Sequence, residues 1–192
     1  MLKRRPKGYT GINHMARGHD LIAVLKSVHV PEVTLGPELA ARLKKVTPDE
    51  WYPIAELLDL LEQLDAKLGA FHLRQVGWTI WQKVPSEAKA QFTGAQDLLN
   101  AFDRTYRLNN KGTGIGGWAL TVFEPGRAVI EKTTPHHCGM EQGILEESLR
   151  QLGLQARVVQ TVCFRNGGDL CRYLVTTNCN DERWFGKGTP LG

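Results

Sequence analysis

The sequence predicts an α+β fold in which N-terminal helices pack on a mainly antiparallel sheet. Apolar residues recur at helical spacing through residues 20–108, a Gly- and Asn-rich bridge over 109–117 breaks that pattern, and a β-β-α-β-β order follows over 112–179. A length of 192 residues with 42% hydrophobic side chains suits a single domain over 20–192, preceded by a basic flexible arm over 1–19.

Residues 1–19 contain Gly8, Gly11 and Gly18 and little apolar periodicity, which predicts an extended arm. Leu21, Ile22, Val24, Leu25 and Val28 suit a short helix, and Pro37 to Val46 suits a second. Thr47-Pro48-Asp49-Glu50 has the features of a helix start: a Thr cap, Pro at the first helical position, and Glu three residues after the cap. The helix predicted from there buries Ile54, Leu57, Leu58, Leu61, Leu64 and Leu68 and ends at Gly69. Phe71 to Val84 continues helically, with Trp78 and Trp81, until Pro85 stops it. Thr93-Gly-Ala-Gln96 opens another helix, with Leu98, Leu99, Phe102 and Tyr106 on one side. Trp118 to Phe123 and Arg127 to Thr133 then alternate as a hairpin around Pro125-Gly126. Met140 to Leu152 is amphipathic and closed by Gly153, and Leu154 to Phe164 pairs with Leu170 to Thr177 across Asn166-Gly-Gly-Asp169. The helix between the hairpins supplies the crossover that lets all four strands share one sheet.

Charge and hydropathy remove several function classes. The first 19 residues hold five of the 24 basic side chains and none of the 20 acids, so the rest of the chain carries 19 basic against 20 acidic groups. A phosphate-tracking groove needs its cations clustered on the folded body among aromatic rings, so the domain itself is not expected to bind nucleic acid. No apolar run approaches the roughly 20 residues that span a bilayer. The basic segment 1–7 lacks a following apolar stretch of the export type, so a cytoplasmic location is expected.

All four cysteines, at 138, 163, 171 and 179, fall in the last third of the chain. If the second hairpin turns about Gly167, Cys163 lies opposite Cys171, and opposed residues have Cβ atoms about 4.5–5.5 Å apart. Such a pair serves as metal ligands, as a disulfide, or as inert core thiols. Structural zinc wants four donors of this type. Cys138, just before a helix, is the third donor, and Gln160, His136, His137 and Cys179 compete for the fourth place.

No nucleophile elbow, Walker loop, dinucleotide fingerprint or His-Glu-x-x-His occurs, and no acid–base pair is nominated. Aromatic residues instead point to a small-molecule pocket where the helices meet the first hairpin: Trp78, Trp81, Tyr106, Trp118 and Phe123, with His72 as a polar member. Core burial accounts for the same rings.

The run Thr134-Pro-His-His-Cys138, the helix beginning Gly139-Met-Glu-Gln-Gly-Ile, and Cys163 and Cys171 followed by Arg172-Tyr173 resemble the 4-vinyl reductase domain family. That family includes the sensor domains of phenol-responsive bacterial activators and shares a fold with TRAPP tethering subunits. The resemblance implies a homodimeric module with an apolar pocket under its helices, lined by the Trp matching Trp118. It also implies structural zinc, as some members hold, bound by cysteines matching Cys138, Cys163 and Cys171 and by an acidic residue three before the second cysteine, where this chain has Gln160. The function expected is therefore a non-catalytic sensor that holds a small apolar or aromatic molecule and signals through a separate output protein. The alternatives are an enzyme or accessory protein of tetrapyrrole (bacteriochlorophyll) metabolism and a dimeric scaffold.

Overall fold

The computed structural model describes residues 13–187, so the basic side chains at 3, 4, 5 and 7 lie outside the described residues. The N-terminal half is helical: α1 (Gly18–Ser27), α2 (Pro31–Thr34), α3 (Pro37–Leu43), α4 (Ile54–Leu68), α5 (Ala70–Lys83), α6 (Ser86–Lys89) and α7 (Ala95–Asn109). Three short strands, β1 (Met15–Arg17), β2 (Trp51–Pro53) and β3 (Asn110–Lys111), form a small sheet in the order β2-β1-β3. The second half carries β4 (Trp118–Glu124), β5 (Arg127–Lys132), α8 (Cys138–Gln151), β6 (Ala156–Val162), β7 (Cys171–Thr177) and the short α9 (Glu182–Phe185). Those four longer strands form one antiparallel sheet in the order β4-β5-β7-β6, and α8 is the crossover between its hairpins.

The expected α+β class and the single four-stranded sheet are present. Two local expectations are corrected. Residues 15–17 are not part of a loose arm, because β1 pairs with both β2 and β3 and buries Ala16 at 1% exposure. The helix predicted to start at Pro48 starts at Ile54, since residues 51–53 pair with β1 and hydrogen bonds from Gly18 and His19 hold the 48–50 turn. Pairing with a distant strand outweighs the local capping pattern.

The helices and the larger sheet share one core, in which Leu57, Leu61, Leu64, Leu73 and Val76 meet Ile130, Leu145, Tyr173 and Val175. The tightest junction is between α5 and α8. Gly77 lies against the backbone of residues 140–144, and Gly143 lies against the backbone of Arg74, so at both positions a Cβ would strike the neighbouring helix. Glycine at both positions lets the two backbones nearly touch and fixes the start of α8 over the sheet.

Candidate functional site

A cavity of about 680 Å³ opens among α1, α5, α7, the start of β4 and the start of α8. Its inner wall is a stack of rings. Trp81 lies parallel to Phe102 (centroids 6.4 Å apart, 4° between planes), Phe102 meets Trp118 edge-on at 5.3 Å, and Trp118 stacks on Tyr173 at 6.0 Å. Phe102 and Tyr106 come from one face of α7, and Trp81 follows Gly77 by four residues on α5. Trp118 begins β4, where its backbone N–H donates to Asp103 Oδ1 at 2.9 Å.

The pocket residues expected from sequence separate into two groups. Trp81, Trp118 and Tyr106 line the cavity. Trp78, Phe123 and His72 do not. Trp78 turns toward Glu146 (Nε1 to Oε2, 3.3 Å) and meets Phe71 edge-on, while Phe123, at the opposite end of β4 from Trp118, stacks on Trp184 at 4.8 Å. His72 is half-buried, and desolvation lowers its pKa from the ordinary histidine value. Helical periodicity places Trp78 and Trp81 on neighbouring faces, and only the contact with α7 decides which of them faces the cavity.

The far end of the cavity holds polar residues that sequence reasoning missed or used otherwise. Lys132, fully buried, donates to the His136 carbonyl at 2.7 Å and is ion-paired with Glu141, which also accepts from Thr134. Desolvation lowers the Lys132 pKa, and the nearby sulfurs oppose the shift. His136 packs edge-on against Tyr106 at 5.7 Å, and its Nδ1 lies 3.6 Å from Glu141. Alternation along β5 places Lys132 on the inward face with Ala128 and Ile130, a signal available in the sequence. Its pairing with Glu141 across the turn into α8 has no such signal.

Behind this wall the thiols of Cys138, Cys163 and Cys171 converge, with all three sulfurs within 4.8 Å of one another. The Cys138–Cys171 and Cys138–Cys163 separations are 3.2 and 3.4 Å. The hairpin register expected about Gly167 holds next to the turn, where Val162 pairs with Arg172. A register shift between Gln160 and Val162 turns the Gln160 amide toward Cys138. The hydrogen bond from Cys171, with the Lys132 charge nearby, holds the Cys138 thiol well below its ordinary range, and Cys171 is raised in turn because it keeps the proton of the pair. The other three candidates for a fourth ligand face elsewhere: Cys179 donates to Asp181 at 3.0 Å, His136 Nδ1 faces Glu141, and His137 caps α8 through Gly139 N–H and faces Asp65 at 3.3 Å.

No family model matches the sequence, and no curated protein matches it. Solved structures of H-NOX proteins share its fold. An H-NOX protein from S. oneidensis in the Fe(II) ligation state, a triple mutant, is 13% identical, with a TM-score of 0.65 over 88% of this chain and 100% of that one. The Fe(II) unliganded H-NOX protein from K. algicida is 11% identical, with a TM-score of 0.65 over 85% and 97%. A structure probing heme distortion in the H-NOX family is 14% identical, with a TM-score of 0.63 over 86% and 96%. The resemblance to the 4-vinyl reductase family is thereby corrected: the motifs behind it fix a helix start and a hairpin turn, and this fold contains both. The zinc expectation is corrected with it, since these neighbours are described with Fe(II) and heme and none with zinc.

Proposed function

We propose that the chain is a non-catalytic sensor module that holds a small apolar or aromatic molecule in the cavity between α5, α7 and α8. The observation that carries this reading is the ring-walled cavity itself. At about 680 Å³ it falls within the range of ligand pockets, and its rings suit a flat apolar body. Its buried acids are occupied, Glu141 by Lys132 and Asp20 by His19, so neither stands ready as a catalytic acid or base. The wall includes Met140, Glu141 and Ile144 of α8, so an occupant bears directly on the helix that links the two hairpins.

Heme is the group that the neighbours' fold brings to mind, and the donors of this wall do not fit it. Heme iron takes an axial ligand from His, Cys, Met or Tyr. Tyr106 donates its hydroxyl to the Ile115 carbonyl at 2.8 Å, and His19 Nε2 faces Asp20 at 3.2 Å. His136 Nδ1 faces Glu141, and its Nε2 is enclosed by protein. Met140 is the remaining donor, and a thioether serves heme iron beside a histidine ligand. Of the wall's histidines, only His19 keeps a ring nitrogen clear of these contacts, on a side chain 37% exposed; the ligand proposed here is an organic molecule without iron, and absorption tests it against heme.

Native mass spectrometry and absorption spectroscopy of freshly purified protein test the reading. A retained organic mass without a Soret band is expected, with loss of that mass in Trp118→Ala while the protein still unfolds cooperatively; Trp118→Phe, which keeps a ring, retains part of it. A stoichiometric Soret band would overturn the iron-free ligand. Protein that carries no organic mass and takes up no aromatic probe would overturn the cavity reading itself.

A further inference from the structure

The cavity wall contains a hydrogen-bond donor that the protein does not satisfy. Trp81 is 5% exposed, and its indole Nε1 is buried without an acceptor. Buried indole N–H groups ordinarily find a partner, and leaving one unmet costs about 1–3 kcal/mol. The same lining includes two exposed cations, Lys83 at the end of α5 and Arg104 on α7, neither in an ion pair among the described residues. The acids of the lining, by contrast, have donors beside them. Asp20 and Asp49 stand by His19, and Glu141 is paired with Lys132. What the wall leaves unanswered is thus the Trp81 donor, the Asn110 Oδ1 acceptor and two positive charges around an apolar, ring-lined space.

We propose that the cavity selects an apolar acid: a flat aromatic body bearing a carboxylate, whose oxygen accepts from Trp81 Nε1 and whose charge is met by Lys83 and Arg104. This rests on the reading of the cavity as a ligand site and adds the chemical class of the ligand. The rings of Phe102 and Trp118 bind the body through buried apolar area, which does not distinguish an acid from a neutral analogue. Discrimination comes from the polar end, where a charge-assisted bond is about twice as strong as a neutral one. Because the two cations are exposed, the preference weakens as salt rises.

Titration calorimetry with the full chain, comparing 2-naphthoate with its neutral analogue 2-naphthalenemethanol, tests the proposal. At low salt the acid is expected to bind about tenfold tighter. That advantage should fall toward unity in the Lys83→Glu, Arg104→Glu double variant, whose substitutions lie on exposed positions and leave the core intact, and shrink in Trp81→Phe. Equal binding of acid and alcohol would overturn the proposal and leave the cavity reading standing, and so would an acid preference untouched by the substitutions. Failure of both probes to bind would overturn the proposal together with that reading.

Discussion

Replacing Gly77 with Ala tests whether contact between α5 and α8 governs both stability and the cavity. The added Cβ would lie 2.7 Å from Ile144 N and 3.0 Å from Gly143 C, with the Met140 carbonyl oxygen closer still. These are backbone atoms, so no side chain can swing aside. Bringing the Met140 oxygen to ordinary contact requires α8 to withdraw by about 1.5 Å, and a gap of about 0.5–1 Å already forfeits a quarter to a half of the dispersion energy of the atoms along it. Overpacking of this kind costs about 3 kcal/mol, and the better helix propensity of Ala returns about 1 kcal/mol. The net loss of about 2 kcal/mol corresponds to a Tm lower by about 4–8 °C for a chain of this length. Because Met140 and Ile144 also line the cavity, binding of an aromatic probe should weaken in the same variant. Gly139→Ala is the control, since its Cβ would sit 3.2 Å from the Ala70 carbonyl oxygen and 3.3 Å from Leu73 Cβ, an adjustment of tenths of an ångström. Urea and thermal unfolding followed by circular dichroism read both variants. Gly77→Ala protein as stable as the parent, with unchanged probe binding, would refute the reasoning.

Lys132→Met leaves Glu141 buried without its partner and should cost about 3–5 kcal/mol in urea unfolding. A Lys132→Met, Glu141→Leu double variant should recover a substantial part of that loss, because no uncompensated charge remains. Glu147 supplies a pH test: hydrogen bonds from Arg150, opposed by burial and helped by Gln151 and Gln82, hold its carboxyl down to about 2 from an ordinary 4.5. A lowered folded-state value means that stability is present above the ordinary value and is lost as pH falls through the folded one. Unfolding midpoints measured from pH 5 to pH 2 should therefore drop more steeply for the parent than for Glu147→Gln.

Helical spacing and strand alternation made α5, α7, α8 and both long hairpins legible, because each of these segments buries a face that its own period reveals. The small sheet was not legible. Three residues at 15–17 carry no period, and only pairing with residues 51–53 and 110–111 gives them structure. In the site, the approach of Cys163 to Cys171 followed from hairpin arithmetic about a glycine with φ of +96°, and that of Cys138 from its place at the start of α8. The bulge that turns Gln160 inward does not follow from alternation. Trp81, Trp118 and Tyr106 were identified because they flank the junction of the helices and the first hairpin. Trp78 and Phe123 were wrongly grouped with them, since Trp78 turns one face round α5 to Glu146 and Phe123 lies at the far end of β4 against Trp184, and both partners are distant in sequence.

The small sheet also sets an order of events during synthesis. Its central strand, β1, is translated first, yet its second partner, β3, ends at Lys111. A ribosome adding roughly 5–20 residues per second makes the intervening stretch in about 5–20 s. Over that interval β1 has at most β2 to pair with, and one of its edges stays open. A nascent chain arrested before residue 110 should therefore be cut readily by a protease near residues 13–17, and one arrested well beyond Lys111 should resist cutting there. Strand β1 is made before both of its partners and gains its second edge only once β3 has emerged.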